Sequence, residues 1–280
     1  MKNTILTITD SLKILSHSEP DRPNIGYVKG RDGFCFIDAG SSESHADLIR
    51  QMIDEPSQDM DKYLVLTHWH WDHTFGLHSF NECISIAHEN LISKLKWYKS
   101  LSWSDEALAK RVSDGEEIPF IRDCLTKEIP DRTNLQIDIP KIHYKNEITI
   151  NLGNKQLEVF FIDSDHSDDN SVVYSSEDRC LFVGDSLYPD IYHKDRYTFK
   201  KFFPLIEKLK TYKVSTLVDS HKDVLRNEQC AAYIDSLLEI GLIAESSGSL
   251  EQAKNQLIKK TLPFLDEWKY EIADNFLKKM

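Results

Sequence analysis

Residues 63–76, YLVLTHWHWDHTFG, join a short apolar run to a cluster of three histidines and one aspartate. The run KYLVLT has the aliphatic and aromatic residues of a buried strand, so the cluster follows a strand end. Loops at strand ends hold functional side chains on a rigid scaffold. In an extended segment His68 and His70 point to the same side. Because imidazole nitrogens and carboxylate oxygens are zinc ligands, the cluster predicts half of a metal site.

Three further residues occupy comparable positions. Four ligands from one loop would crowd a single metal, and an enzymatic zinc needs only three plus an open position. His166 follows the strand candidate LEVFFID, Asp185 follows RCLFVG, and His221 follows STLVDS. Carboxyl ends of strands at one edge of a sheet form the usual site of α/β proteins. The remaining histidines occur singly and are predicted to be surface side chains: His17, His45, His78, His88, His143 and His193.

The chain alternates between β-rich and helical regions. Short β-rich runs and turns such as GRDG fill the first forty or so residues, and SHADLIRQMIDE then has a helical period, with Ser44 as the expected N-cap. Residues of about 89–131 predict a helical insertion that forms a lid or wall, and about 227–280 predict a helical C-terminal region. We expect a single domain over residues 1–280, of the α/β class.

Composition and charge limit the class of protein. The 280 residues include 34 basic and 46 acidic side chains, and this net charge of −12 disfavours a nucleic-acid partner. An apolar run of about 18 residues and a signal-peptide pattern are both missing from the sequence, which predicts no membrane partner and a cytoplasmic location. Five separated cysteines without a CxxC pair indicate reduced thiols. The expected partner is a small-molecule substrate, and a homo-oligomer remains open.

Five motifs together resemble the metallo-β-lactamase superfamily in their order along roughly residues 25–223. They are IDAG (37–40), THWHWDH (67–73), DHSDDN (165–170), GDSLYPD (184–190) and SH (220–221). Two positions depart from the family pattern: Asp165 replaces the glycine usual before the third histidine, and His221 has no flanking glycine. The resemblance implies a four-layer αβ/βα sandwich, in which helices cover two mixed sheets packed face to face.

The resemblance also implies two metal ions per chain. The implied ligands are His68, His70 and His166 for the first metal, Asp72, His73 and His221 for the second, and Asp185 as the bridge. Iron-using oxygen reductases of this fold have a glutamate at the position of His70, so an imidazole there favours Zn²⁺, with Mn²⁺ or Fe²⁺ as alternatives. A hydroxide between the metals would attack a polarised carbonyl carbon or phosphorus, and Asp72 would orient it or accept its proton.

Differences within the superfamily narrow the substrate. True β-lactamases of this fold lack the bridging aspartate or the second-metal histidine, whereas this chain has Asp185 and His73. The tRNA-processing members need a basic face, which the acidic balance disfavours. The leading hypothesis is therefore a hydrolase of a small ester, lactone or thioester. A phosphodiesterase of the same fold and a metal-binding sensor with little catalysis are the alternatives.

Aromatic residues near the motifs have open roles. Tyr188 stands three residues after Asp185, a spacing that resembles acyl-homoserine lactonases, and its hydroxyl is predicted to contact the substrate carbonyl as a catalytic group. An aromatic core side chain is the alternative at this position. Trp69 and Trp71 either form an apolar wall beside the metals or anchor the loop by packing. Aromatics of the insertion, Trp97 among them, belong to the core or line the cleft.

Overall fold

Two mixed β-sheets form the centre of the protein, seen in a computed structural model that describes residues 4–53, 59–193 and 195–278. The first sheet has its strands in the order of the sequence: Ile5–Thr9 (β1), Leu12–Leu15 (β2), Ile25–Lys29 (β3), Gly33–Ile37 (β4), Asp61–Val65 (β5), Ile84–His88 (β6) and Ile142–Tyr144 (β7). Neighbours from β1 to β4 are antiparallel, and those from β4 to β7 are parallel. The GRDG turn joins the antiparallel pair β3–β4, as its composition predicts.

The second sheet pairs its strands in the order β13-β12-β11-β10-β9-β8. Its strands are Glu147–Asn151 (β8), Gln156–Phe161 (β9), Ser171–Ser175 (β10), Cys180–Gly184 (β11), Thr216–Asp219 (β12) and Leu225–Arg226 (β13). Only β11 and β12 are parallel. A parallel pair needs a crossover, and the helix Phe199–Lys210 lies in the segment that joins these two strands.

Helices occur in the three regions that the sequence predicts as helical, and two more, Trp71–Thr74 and Phe199–Lys210, lie outside those regions. The helices are Glu43–Met52 (α1), Trp71–Thr74 (α2), Glu89–Ser100 (α3), Asp105–Asp114 (α4), Pro119–Glu128 (α5), Phe199–Lys210 (α6), Glu228–Ser246 (α7), Leu250–Leu257 (α8) and Lys269–Leu277 (α9). The N-cap prediction for α1 was wrong by two residues. Ser42 is the N-cap, since its hydroxyl accepts a hydrogen bond from His45 N, whereas Ser44 lies inside the helix. None of the helices in these described ranges has the length and apolarity needed to cross a bilayer.

The central strands are apolar on both faces, which is why they occur as continuous apolar runs in the sequence. In β4, Phe34 and Phe36 pack among side chains of α1 and α3, whereas Cys35 and Ile37 face the apolar layer between the sheets. That layer receives Phe182 from the second sheet, and the outer face of the second sheet packs against α6 to α9. The order helix, sheet, sheet, helix confirms the predicted αβ/βα sandwich.

Candidate metal centre

The histidine loop is fixed to both sheets by its backbone. Thr67 N donates to Asp38 Oδ1 (2.7 Å), and Thr67 O accepts from Ser171 N of β10 (2.7 Å). The loop then enters the single turn α2, where the Thr74 hydroxyl donates to His70 O (2.9 Å). An extended segment followed directly by a helical turn directs side chains from successive positions into one volume. The loop geometry therefore follows from local backbone bonds as well as from strand β5.

Gly184 allows the second sheet to approach this loop. Its φ of +54° lies in the left-handed region, and a Cβ at this position would lie 2.8 Å from Thr67 Cβ. A side chain here would therefore force the end of β11 away from the loop. The close approach brings Asp185, the next residue, against the histidines of the other sheet.

The first group of candidate ligands consists of His68, His70, His166 and Asp185, whose ligand atoms all lie within 4.8 Å of one another. His166 Nε2 is 3.2 Å from His68 Nε2 and 2.9 Å from His70 Nδ1. Asp185 Oδ2 is 3.3 Å from His166 Nε2. Tetrahedral zinc with bonds of about 2.0–2.1 Å would separate its nitrogen ligands by about 3.4 Å, so these spacings fit one zinc ion.

The second group consists of Asp72, His73, Asp185 and His221, again within 4.8 Å. Asp72 Oδ2 lies 3.1 Å from His73 Nε2 and 3.2 Å from His221 Nε2. Asp185 is 3.6 Å from His73 Nε2 through Oδ1 and 3.5 Å from His221 Nε2 through Oδ2. Because Asp185 belongs to both groups, its carboxylate lies between two candidate metal positions. The structure thus brings together all seven residues that the sequence predicts as ligands.

Oxygen atoms behind the ligands face Nδ1 of three of the imidazoles and orient them. The Nδ1 atom of His73 lies 2.9 Å from Asp38 Oδ2, and that of His166 lies 3.1 Å from Pro189 O. The Nδ1 atom of His221 is 3.5 Å from Asp21 Oδ1. With Nδ1 directed to an oxygen, Nε2 remains available for a metal, which is the usual arrangement around metal-binding histidines.

The electrostatics of the site favour bound cations. Burial lowers the pKa of His68, His70 and His166, so these imidazoles are neutral, the form that binds a metal. Burial also disfavours the charged form of His73 and His221, but the surrounding carboxylates outweigh burial and raise both pKa values well above the ordinary value. A buried cluster of carboxylates that attracts protons this strongly would equally attract divalent cations. The donor set and its charge therefore fit two metal ions.

Tyr188 contacts a different partner from the one predicted. Its hydroxyl donates to Asp219 Oδ1 (2.6 Å), and the same oxygen accepts from His221 N (3.1 Å). The ring lines the metal cleft, so Tyr188 is near the site, but its hydroxyl is already hydrogen-bonded. The catalytic role of this hydroxyl stays a prediction, and it requires the hydroxyl to exchange Asp219 for a substrate carbonyl.

The two tryptophans of the loop are both buried. Trp69 packs its ring 4.9 Å from the Tyr98 ring of α3 and 4.8 Å from the His70 ring, measured between centroids. Trp71 is 1% exposed, packs against Phe75 and lines the metal cleft. Trp69 thus anchors the loop to the insertion, whereas Trp71 contributes to the wall of the cleft.

Several residues that line or support the site were not predicted from the sequence. Phe120 and Ile121 of α5 line a cleft of about 230 Å³ over the candidate ligands. Phe120 is 55% exposed, and its apolar pattern in the sequence resembles that of any amphipathic helix, so nothing marked it beforehand. Asp21 also lines this cleft, and burial raises its pKa to about 7. Asp38 belongs to the IDAG motif, which is the one signal that pointed to a supporting residue.

Two of the isolated histidines were wrongly predicted to be at the surface. His45 is fully buried behind the site, where its Nδ1 atom lies 3.2 Å from Ser41 Oγ. His88 is 4% exposed, and its ring stacks on Phe161 with 4.4 Å between centroids. His88 ends β6 directly before α3, and His45 lies in the first turn of α1; the packing of each helix against the sheet excludes water there.

The chain belongs to the metallo-beta-lactamase superfamily, whose family model matches residues 19–223. This match contains every candidate ligand. No curated protein sequence matches the chain. Members of the superfamily are metal-dependent hydrolases, and the buried histidines and aspartates described above form two groups that suit metal binding.

Solved structures show the same fold at low sequence identity. A metallo-beta-lactamase from Pontibacter korlensis is 19% identical, with a TM-score of 0.57 over 82% of this chain and 96% of that one. The metallo-beta-lactamase DIM-1 is 17% identical, with a TM-score of 0.58 over 85% and 98%. The inverting sec-alkylsulfatase Pisa1 from Pseudomonas sp. is 13% identical, with a TM-score of 0.66 over 98% of this chain and 49% of that one. At these identities the likeness concerns the fold alone.

Proposed function

We propose that this chain is a binuclear zinc hydrolase that acts on a small ester, lactone or thioester. One observation carries the proposal: Asp185 belongs to both ligand groups, so a single carboxylate can hold two ions side by side. When bound, two such ions supply Lewis acidity and a water of lowered pKa. In the overall reaction the acyl C–O or C–S bond breaks, the hydroxyl of water joins the acyl carbon, and its proton goes to the leaving group.

The protein's own residues have three tasks in this proposal. The seven candidate ligands hold the ions, and Asp38 keeps the Nε2 atom of His73 directed at them. Asp72 lies at the wall of the cleft and is 5% exposed, which suits a proton acceptor for the attacking water. Phe120 and Ile121 cover the cleft with apolar surface and restrict the entry of bulk water.

The character of the cleft supports a small uncharged substrate. The chain has a net charge of −12, and Asp21, Asp72 and Asp185 all line the cleft. A polyanion would be repelled unless the metals neutralised it. The five cysteines are buried and unpaired, which supports action in a reducing compartment such as the cytoplasm.

The experiment measures metal content and hydrolysis together. Purified protein should contain close to two metal ions per chain and should hydrolyse members of a panel of lactones, thioesters and p-nitrophenyl esters. His70→Ala should reduce hydrolysis to background, while His143→Ala, the same change at an exposed histidine on β7, should leave both properties unchanged. One metal or none under zinc-replete conditions would refute the binuclear proposal.

The same panel distinguishes the alternatives. It includes a chromogenic phosphodiester and a sec-alkyl sulfate, the latter because the Pisa1 match extends over 98% of this chain. Turnover of the phosphodiester in preference to every acyl compound would favour the phosphodiesterase. A sensor would bind two metals without turnover of any compound, and its cellular role would change with metal supply and not with substrate.

A further inference from the structure

A second, larger cavity lies beside the metal cleft. It has a volume of about 620 Å³, within the range of about 300–1,000 Å³ typical of small-molecule sites. Its walls come from the segment that follows β11, the end of β12, and the C-terminal helices α7 and α9. Apolar side chains dominate these walls: Leu187, Ile191, Leu237, Leu265, Trp268 and Ile272. We call this space the C-terminal cavity.

The C-terminal cavity and the metal cleft share part of their walls. Tyr188, Ile191 and His221 line both spaces. His221 is a candidate ligand, and its side chain is 22% exposed, compared with 7% for Asp185 and 0% for His73. A molecule in the C-terminal cavity would therefore lie directly beside His221, which is the most solvent-exposed of these three candidate metal ligands.

Three tyrosine hydroxyls in the wall of the C-terminal cavity are hydrogen-bonded within the protein. The Tyr197 hydroxyl donates to Leu187 O (2.7 Å), and the Tyr233 hydroxyl accepts from Lys222 Nζ (3.0 Å). The Tyr188 hydroxyl donates to Asp219, as described above. With these hydroxyls engaged, the wall presents mainly carbon surface, so it would recognise a ligand mainly by apolar burial.

The mouth of the C-terminal cavity combines exposed aromatic and acidic residues. Phe264 is 46% exposed and Trp268 is 52% exposed, although both are large apolar side chains. Asp195, Asp223 and Glu271 are exposed in the same lining. A ligand that covers the two aromatic rings would gain apolar burial. Lys222 also lines the cavity, but the three carboxylates outnumber this cation and would repel a ligand with a negatively charged end.

From this arrangement we propose that the C-terminal cavity binds a straight, uncharged acyl chain of the substrate while the acyl ester group lies in the metal cleft. The inference rests on the proposed hydrolase function and names its substrate class: esters or lactones of medium-chain acids with an uncharged chain end. The C-terminal helices are then part of the substrate site and not only of the fold.

Binding of hydrolysis-resistant amides tests the inference without catalysis. Isothermal titration calorimetry compares N-methyloctanamide with N-methylacetamide on the purified protein. Burial of one methylene is expected to tighten binding about fourfold, so six additional methylenes should give at least about 100-fold. The monoanion of 8-(methylamino)-8-oxooctanoic acid, which has a carboxylate at the chain end, should bind at least tenfold more weakly than the octanamide.

Two variants and one matched control locate the bound chain. Ile272→Trp fills the C-terminal cavity from α9, and Trp268→Ala removes part of its exposed wall; both should abolish most of the preference for the octanamide. Leu242→Trp makes a comparable enlargement at a 50% exposed residue of α7 that does not line the cavity, and it should bind like the wild type. If Ile272→Trp fails to fold, Trp268→Ala alone tests the cavity, because the Trp268 side chain is half exposed and its removal should leave the fold intact.

The hydrolysis of p-nitrophenyl acetate and octanoate separates this inference from the proposed function. The expected result is a higher kcat/KM for octanoate that Ile272→Trp lowers to the level of acetate, with acetate turnover retained. Equal binding of the two amides by the wild type, or equal losses in Ile272→Trp and Leu242→Trp, would overturn the C-terminal cavity as the chain site. Octanamide binding without hydrolysis of either ester would support the cavity and refute the hydrolase.

Discussion

The contact between Asp38 and His73 offers a sharp test of the second metal position. Asp38 Oδ2 lies 2.9 Å from His73 Nδ1, and the two side chains are 2% and 0% exposed. Asp38 Oδ1 accepts the backbone N–H of Thr67 at 2.7 Å. Asp38→Asn keeps the shape of this side chain but replaces one acceptor oxygen with a donor. The amide has two orientations, and each has a distinct consequence.

Only one of these orientations is compatible with the backbone. If the amide nitrogen occupied the Oδ1 position, its hydrogens would face the N–H of Thr67, and two buried donors would lie against each other. The nitrogen therefore occupies the Oδ2 position and donates to His73 Nδ1. Since a neutral imidazole carries one hydrogen, that hydrogen moves to Nε2, the atom that faces the proposed metal. The wrong tautomer of His73 then blocks its own coordination.

The expected loss follows from the role of such supporting contacts. Removing the group behind a metal-bound histidine typically weakens metal affinity about 10–100-fold, and a reversed tautomer places the loss at the upper end, about 2.7 kcal/mol. Asp38→Asn should therefore keep one tightly bound zinc and release the second about 100-fold more readily. Competition with a chromophoric chelator measures both affinities, and long-range ¹H–¹⁵N spectra of the histidines report the tautomer.

A control of equal charge accompanies this variant. Asp47→Asn removes one negative charge at a residue of α1 that is 47% exposed and pairs only with Arg50 among the interactions described for it. It should retain both metals with unchanged affinity. Two metals bound by Asp38→Asn within threefold of the wild-type affinity, in a folded protein, would refute the tautomer argument.

Three further predictions address the surroundings of the site. Tyr188→Phe removes the hydroxyl that donates to Asp219. We therefore expect the free energy of unfolding, measured in denaturant, to fall by about 1 kcal/mol and kcat to change less than tenfold. A kcat loss above 100-fold at unchanged stability would instead support catalysis by this hydroxyl. Burial raises the pKa of Asp169 to about 7, so the folded protein holds this proton more tightly than the unfolded chain; the resulting stabilisation is complete below about pH 4 and is lost as the pH rises through 7. In Asp169→Asn the fall in unfolding free energy between pH 5.5 and 7.5 should be smaller than in the wild type. Denaturant unfolding at a series of pH values measures this fall. The same fall in the variant and the wild type would contradict a raised pKa at Asp169. Chelation of the metals should lower Tm by roughly 5–10 °C, since binding at 100 times Kd stabilises a protein by about 2.7 kcal/mol, and calorimetry with and without chelator measures the difference.

The strands and the positions of the candidate ligands could be predicted from the sequence for a simple reason. Strands buried on both faces are continuous apolar runs, and each candidate ligand follows such a run within a few residues. His166, Asp185 and His221 follow strands of the second sheet, whose ends meet at one edge, so their proximity to one another follows from strand order. Their approach to the first cluster, which follows β5 of the first sheet, depends on how the two sheets pack. The departure at Asp165 does not disturb this convergence, because its carboxylate accepts hydrogen bonds from Thr198 instead of entering the site.

Helix boundaries and the burial of particular side chains were harder to predict from the sequence. Ser42 and Ser44 both have the chemistry of an N-cap, and only the observed backbone distinguishes them. His45 has the local sequence context of a surface histidine, yet α1 packs it against the first sheet. Phe120 and Asp21 reach the metal cleft from segments that are distant in sequence, and their positions depend on how the insertion packs over the loop.

Residue types and their order along the chain, together with the family resemblance, predicted the class of fold, the seven candidate ligands and Asp185 as the bridge between two ligand groups. The structure confirms the class of fold and places Asp185 in both groups. Only the packing of the layers shows that the Tyr188 hydroxyl is bonded to Asp219 and that the C-terminal helices enclose a cavity beside His221. These features depend on distances between segments separated by many residues, and such distances are set by the packing of whole layers and not by any local pattern.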